Sequence, residues 1–352
     1  GMTRGIAPLI LGYQAFDEGV RIAGVILNRV GGPRHEGKLR AALERYTDVP
    51  MLGAIARESA LEIPERHLGL APANELDSAR ETIGRLAESI GRQVDLDRLR
   101  EIAATAEGPG AALAQPLSRA HATDLRIGIA RDAAFGFYYP GDLEALEAAG
   151  AELVPFNTLT DPRLPRVDAL FIGGGFPEIH MAALEANATL RAEIRTAIES
   201  GMPAYAECGG LMYLSRGLTW NGESREMVGA IPGDAVMHDR PRGRGYVLLE
   251  ETADAPWPAQ PGTRGPAGLP SHEFHYASLE NLPGDTLYAW RVLRGHGLDG
   301  ERDGVIVANL LASFCHLRDT GAHRWAARFA AFARQIMRGE SPAARHSTTN
   351  TL

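Results

Sequence analysis

Short apolar runs that alternate with amphipathic stretches constrain the fold of this chain more than any other feature. The run Ile22-Ala23-Gly24-Val25-Ile26-Leu27-Asn28 reads as a buried parallel strand ending at an Asn, and Gly31, Gly32 and Pro33 then break the chain. Residues 36–46 follow with helical spacing and set Leu39, Leu43 and Tyr46 on one stripe. Val49 to Ile55 is a second short apolar run, and 77–92 a second amphipathic helix with Ile83, Leu86 and Ile90 in register. Strand, helix, strand, helix predicts parallel α/β architecture, because parallel neighbours need a long crossover and a helix supplies it.

The pattern lapses into Gly, Pro, Ala and Gln after Glu107, so residues 108–123 read as a linker. A second parallel-sheet unit is predicted over 124–338. Its strands are Leu125–Ala130, Glu152–Phe156, Ala169–Ile172 and Pro203–Ala206, with helices at 142–149 and 178–200. The stretch 226–310 is richer in Gly and Pro, with shorter strand-like pieces. The unit closes with a strand at Gly304–Ala308 and a helix at 323–337, and the polar tail 339–352 is expected to fray. At 352 residues the chain is long enough for two domains, here 1–107 and 124–338.

Composition narrows the function. Hydrophobic residues make up 45% and charged ones 23%, which argues against long disorder. A net charge of -8 offers no basic field for phosphates, so nucleic acid is not an expected partner. No run of 18 apolar residues exists, so no membrane span is expected. The N-terminus lacks an apolar core followed by a cleavage site, and two cysteines cannot form a disulfide framework. A reducing cytoplasm is the predicted compartment.

Cys208 carries the chemistry. It follows a short apolar strand and precedes Gly209, Gly210 and the helix-like Leu211-Met212-Tyr213-Leu214. A nucleophile on a tight strand-to-helix turn is lifted clear of the sheet, with backbone N–H groups nearby to stabilise a thiolate and a developing oxyanion. A buried structural cysteine is the commoner fate of this residue type, but this local pattern favours catalysis. A thiol needs a base. Of the 11 histidines, His316 is best placed, because a last parallel strand over Ala308–Phe314 would deliver it to the sheet's C-terminal edge. Cys315 would point away from it and reads as packing. The usual orienting carboxylate two residues after the histidine is missing, since position 318 is Arg. Either the site runs as a dyad or another group orients the ring. Gly173-Gly174-Gly175, after the strand Ala169–Ile172, could present N–H groups to an anion or simply make a tight turn.

These residues resemble the cobyrinate a,c-diamide synthase family. The resemblance rests on Tyr205-Ala206-Glu207-Cys208-Gly209-Gly210-Leu211-Met212-Tyr213, Gly173-Gly174-Gly175-Phe176-Pro177-Glu178 and Ala134-Phe135-Gly136-Phe137-Tyr138-Tyr139-Pro140. Leu27-Asn28-Arg29-Val30-Gly31, Pro64-Glu65-Arg66-His67-Leu68-Gly69-Leu70 and His272-Glu273-Phe274-His275-Tyr276 extend it in family order over nearly the whole chain. It implies a dethiobiotin-synthetase-like, P-loop NTPase-like ATP domain joined to a class I glutamine amidotransferase-like domain. The activity implied is amidation of the a and c acetate carboxylates of cobyrinic or hydrogenobyrinic acid, with L-glutamine as nitrogen donor and ATP and Mg as energy source. A nickel-containing sirohydrochlorin is an alternative acceptor, and a non-catalytic corrinoid- or partner-binding module is the rival of another class.

The resemblance also implies roles. Cys208 is the expected nucleophile, His316 its base, and Gly174 and Gly175 the oxyanion donors. Asn28 is expected to read the adenine edge, or else to cap a turn at a strand end. Glu65, Arg66 and His67, and likewise His272, Glu273 and His275, are expected on the substrate side. Alternation on an exposed strand, a surface ion pair at Arg66 or a His-x-x-His metal site would explain them otherwise, and with no third ligand evident no metal site is expected. One departure stands out. The phosphate cradle Gly-x-x-x-x-Gly-Lys-Ser/Thr is absent from the 352 residues. The first domain therefore reads as incomplete, its cradle expected on a preceding segment, on a separate polypeptide or lost. An exposed sheet edge left by that loss would pair with something, and a second copy of the chain is one candidate.

Overall fold

A computed structural model describes residues 2–63, 65–66, 69–70, 79–106, 123–258, 268–321 and 323–340, with the backbone alone at 60, 65–66, 69–70 and 79. The chain divides into two compact units, Gly1–Gln115 and Pro116–Leu352. The expected linker lies outside the described residues except for Thr123, and so does the expected tail beyond Glu340. Among the described residues no helix is long and apolar enough to cross a membrane.

The first unit runs α1 (Ile6–Phe16), β1 (Val25–Val30), α2 (Pro33–Tyr46), β2 (Met51–Ala56), β3 (Glu65–Arg66), β4 (Gly69–Leu70), α3 (Ala79–Gln93) and α4 (Leu96–Ala104). Strands β1 and β2 pair in parallel and β3 and β4 antiparallel. Ile10, Leu27, Val30, Leu39, Leu43, Val49 and Ala54 form its core. The first strand starts three residues after the start of the predicted run and ends two after its end, and it buries only Leu27 and Val30, leaving Ile26 exposed. Helix α2 starts at Pro33, whose fixed φ suits a first helical position. Tyr46, Ile83 and Ile90, predicted on apolar stripes, are exposed. Helix α1 escaped prediction because apolar residues surround it and leave no stripe.

The second unit begins with β5 (Leu125–Ala130), β6 (Phe135–Phe137), α5 (Pro140–Ala148), β7 (Ala151–Phe156), β8 (Ala169–Ile172) and β9 (Gly174–Gly175). Helices α6 (Met181–Ala186) and α7 (Ala188–Glu199) lead to β10 (Ala204–Glu207) and α8 (Gly209–Leu214). Then come β11 (Gly217–Trp220), β12 (Glu223–Glu226), β13 (Asp234–Met237), β14 (Gly243–Glu251), β15 (Leu269–His275) and β16 (Ala277–Glu280). Strands β17 (Leu287–Arg294), β18 (Arg302–Val307) and β19 (Leu310–Ser313) precede the closing helix α9 (Trp325–Met337).

Nine strands make one sheet in the order β15-β14-β17-β18-β19-β10-β8-β5-β7. The five from β19 to β7 are parallel, as helical crossovers require. The Gly- and Pro-rich stretch adds antiparallel strands instead, and the short connections of β17 to β18 and of β18 to β19 turn the chain straight back. Its remaining pieces build a four-stranded sheet, β12-β11-β13-β16. The single helix predicted over 178–200 breaks at Asn187, whose side-chain amide donates to Thr158 O and Asp161 O at 2.9 Å. Parallel strands covered on both faces are apolar throughout. Leu170, Ile172, Ala204, Ala206, Leu310 and Ala312 pack on one side with α6, α7 and α8. Ala169, Phe171, Tyr205 and Leu311 face α5 and α9 on the other. Trp325, Phe329 and Phe332 of α9 are fully buried there, each worth about 1.5–3 kcal/mol of apolar burial.

Candidate active site

The parallel strands deliver their loops to one edge, and the sharpest of these turns is at Cys208. Its backbone takes φ 48° and ψ -102°, a conformation that costs a non-glycine residue about 1–3 kcal/mol. Neighbouring hydrogen bonds enforce it. Cys208 N donates to Ser313 O at 2.7 Å, and Met212 N closes the first turn of α8 on Cys208 O at 3.1 Å. The glycine after next serves close approach. A Cβ at Gly210 would lie 2.1 Å from Ile172 O, so α8 can sit against the end of β8 only without one.

Strand β19 lies beside β10 with Glu207 opposite Ser313, which brings His316 to the same edge. The structure unites the two residues that the sequence paired. The His316 side chain interacts with both Cys208 and Glu207. His316 Nδ1 stands 3.3 Å from Glu207 Oε2. Burial alone would disfavour charge on the ring, but the thiol and the carboxylate outweigh it and push the imidazole up to about 10. The loop bearing it is fastened below by buried Asp303, which accepts from Ser313 Oγ at 3.0 Å, Phe314 N at 3.2 Å and Cys315 N at 3.0 Å. Cys315 itself is fully buried, and burial raises its thiol well above the usual range.

The triple glycine flanks this pair. β9 pairs with β6, whose turn is held by Asp132 accepting from Ala134 N at 2.8 Å and Phe135 N at 3.0 Å. A Cβ on Gly174 would stand 3.0 Å from His316 Cε1. Gly175 N lies 2.9 Å from where a Gly209 side chain would begin, so this backbone borders the start of α8. Gly173 N is already committed to the Tyr138 hydroxyl at 3.0 Å.

The His272, Glu273 and His275 group divides across β15. His272 faces the site: its ring stacks on His316 with centroids 5.0 Å apart, and its Nε2 lies 2.9 Å from the Tyr139 hydroxyl. Burial and the neighbouring His316 lower the basicity of His272. Glu273 and His275 occupy the opposite face and are buried in the interior. Glu273 accepts from His296 N and Gly297 N at 2.7 Å each, and His275 stacks on Phe314 with centroids 4.2 Å apart. Substrate contact fits only His272. The other two are enclosed by protein, because alternate residues of a strand point to opposite faces.

In the first unit, Asn28 borders a cavity of about 860 Å³ shared with Arg29, Ile55, Arg57, Glu58 and Ile90. Asn28 lies within β1 rather than at its end, and its Oδ1 accepts from Arg29 N at 2.8 Å. The side chains of Glu65 and Arg66, and all of His67, lie outside the described residues.

Comparison with known proteins agrees with this layout. The CobB/CobQ-like glutamine amidotransferase domain matches residues 126–321, and the CobQ/CobB/MinD/ParA nucleotide binding domain matches 2–70. Cobyrinate a,c-diamide synthase of Magnetococcus marinus is 45% identical over 343 residues, covering 95% of this chain and 72% of that protein. The chain belongs to the cobyrinate a,c-diamide synthase family. The enzymes of that name from Methanosarcina acetivorans and Listeria innocua are 42% and 39% identical, with 67% and 68% of their lengths covered. This family member is therefore a glutamine amidotransferase ligase, with a nucleotide-binding domain that implies use of ATP.

Three residues beside the site were given no role from the sequence. Glu207 is a lone charge ending an apolar run, and a carboxylate there must find partners on folding. Tyr139 reaches His272. Arg318, standing where a carboxylate was sought, lies 3.9 Å from the Tyr139 ring centroid and 3.7 Å from Asp142 Oδ1. Burial raises Asp142 to about 6, against its hydrogen bond from Asp319 N. Among the described residues, no group of three or more His, Cys, Asp and Glu is arranged to hold a metal ion.

Proposed function

We propose that Cys208 is the nucleophile of a glutaminase site that feeds the amidation of the a and c acetate carboxylates of cobyrinic or hydrogenobyrinic acid. The observation that carries this reading is the imidazole of His316 held against the thiol at a strained strand-to-helix turn. The thiolate attacks the side-chain amide carbon of glutamine, and His316 passes the proton to the departing nitrogen. Ammonia leaves, and water then cleaves the thioester to glutamate and regenerates the thiol. Gly174, whose Cβ position lies beside His316, and Gly175, whose nitrogen borders the start of α8, are assigned the role of oxyanion donors through their backbone N–H groups.

The acceptor carboxylate needs activation, since a carboxylate does not react with ammonia at a useful rate. ATP with Mg supplies that activation as an acyl phosphate, with Asn28 reading the base and a P-loop from a further segment or chain holding the phosphates. A second copy of the chain is the other candidate to pair with the first unit. Glu65, Arg66, His67 and His272 are assigned to the substrate side. Two buried free cysteines suit a reducing cytoplasm.

Ammonia release from glutamine, followed in the wild type and in Cys208→Ser, tests the glutaminase. Equal background rates in both would defeat it. Mass spectrometry of cobyrinic acid incubated with glutamine, ATP, Mg and a P-loop-bearing partner tests the acceptor. If only a nickel sirohydrochlorin gains amide, the acceptor assignment fails while the glutaminase stands.

A further inference from the structure

We propose that Glu207, the residue immediately before the nucleophile, is the positioning carboxylate of this site and supplies from β10 what position 318 does not. The inference rests on the glutaminase reading of Cys208 and His316. Glu207 is 3% exposed, and its two oxygens have separate duties. Oε1 accepts from the Tyr205 hydroxyl at 2.7 Å and from Leu317 N at 3.0 Å. Oε2 is left to face His316 Nδ1 at 3.3 Å. The carboxylate is thus gripped on both sides of the histidine, by its own strand two residues back and by the residue after His316.

This grip has a chemical consequence. A carboxylate has no proton to give, so the proton of this contact sits on Nδ1 of the ring. That leaves Nε2 to accept the thiol proton and fixes the tautomer a base needs. The negative charge also favours the imidazolium formed when Cys208 ionises. Consecutive strand residues ordinarily point to opposite faces, so one ring could not touch both. The turn at Cys208, with φ 48°, swings the thiol out of the strand's alternation and lets His316 lie between the two side chains. Arg318 cannot replace this carboxylate, and it is engaged with Tyr139 and Asp142.

Glu207→Gln is the decisive variant, because a carboxamide of the same shape can turn its N–H toward Nδ1 and hold the wrong tautomer. The turnover number for ammonia release is expected to fall about 10²-fold or more, with the KM for glutamine changed less than about threefold. A merely structural role would not move a pH profile, so the rate of Cys208 alkylation by iodoacetamide is followed against pH. Loss of the carboxylate weakens the thiolate–imidazolium pair, and the rise in rate should shift upward by at least about one pH unit. Glu207→Asp, which restores the charge, should return the profile toward that of the wild type. An unmoved profile together with turnover within about twofold of wild type would overturn the assignment. Should Glu207→Gln fail to fold, proton NMR of the unaltered protein decides. A strongly deshielded Nδ1–H resonance, lost in His316→Asn, supports the contact, and its absence refutes it. Cys208→Ser separates the two claims: activity surviving in that variant sinks the glutaminase itself, whereas silence there with inert Glu207 variants sinks only the positioning role.

Discussion

Glu207 and Glu273 are near-identical in setting and opposite in consequence. They are 3% and 2% exposed, and each faces a histidine, His316 at 3.3 Å and His275 at 3.6 Å. Each also accepts two hydrogen bonds from its surroundings. The difference lies on the far side of the histidine. His316 meets a thiol at a chain reversal, whereas His275 Nδ1 lies 2.8 Å from Ala277 O and its ring is stacked on Phe314. Burial would raise the Glu273 carboxyl, but His275 and the N–H groups of Gly297 and His296 hold it below the usual range. A buried carboxylate–histidine pair becomes chemistry only where the second ring nitrogen faces a reacting atom. Elsewhere it is a clamp, and Glu273 clamps the 295–297 turn to β15.

That contrast can be broken in several ways. The largest effect belongs to Cys208→Ser, which should lower ammonia release by at least about 10³-fold while leaving thermal stability near that of wild type. His316→Asn should follow with a loss of about 10²–10³-fold. Its stability effect depends on pH in a defined direction. The folded imidazole, pushed up to about 10, binds its proton more tightly than the unfolded one at 6.5, so its stabilisation is complete below about 6.5 and disappears as pH rises toward 10. Urea denaturation should therefore show the gap between wild type and His316→Asn narrowing across that window.

Glu273→Gln sharpens the comparison from the other side. It should cost about 1–3 kcal/mol of stability while the folded enzyme keeps turnover within about threefold, the reverse of Glu207→Gln. A turnover loss matching that of Glu207→Gln would erase the distinction between site and clamp. Smallest is Tyr139→Phe, which removes the hydroxyl beside His272 and should lower turnover by less than about tenfold, read from the same ammonia assay.

Much of the fold was legible from local signals. The apolar runs at 125–130 and 169–172 became strands because a stretch buried on both faces can only be apolar. Cys208 followed by two glycines marked its own turn. Less legible was the first strand of the first unit, where one-sided burial blurs the boundary of an apolar run. His272, Glu273 and His275 looked like one group because proximity in sequence hides the alternation that sends them to opposite faces.

The parallel α/β alternation, the reactive turn and the pairing of a late histidine with a central cysteine were legible in the sequence, since each depends on residues that are neighbours or on the rule that parallel strands open at one edge. Which carboxylate would serve the histidine was not, and position 318 gave no help. That was decided by the alignment of β10 with β19, which sets Glu207 opposite Ser313 and so within reach of His316. Hydrogen bonding acts over about 3 Å, and no pattern along the chain reports the distance between two residues 110 positions apart, as Glu207 and Leu317 are.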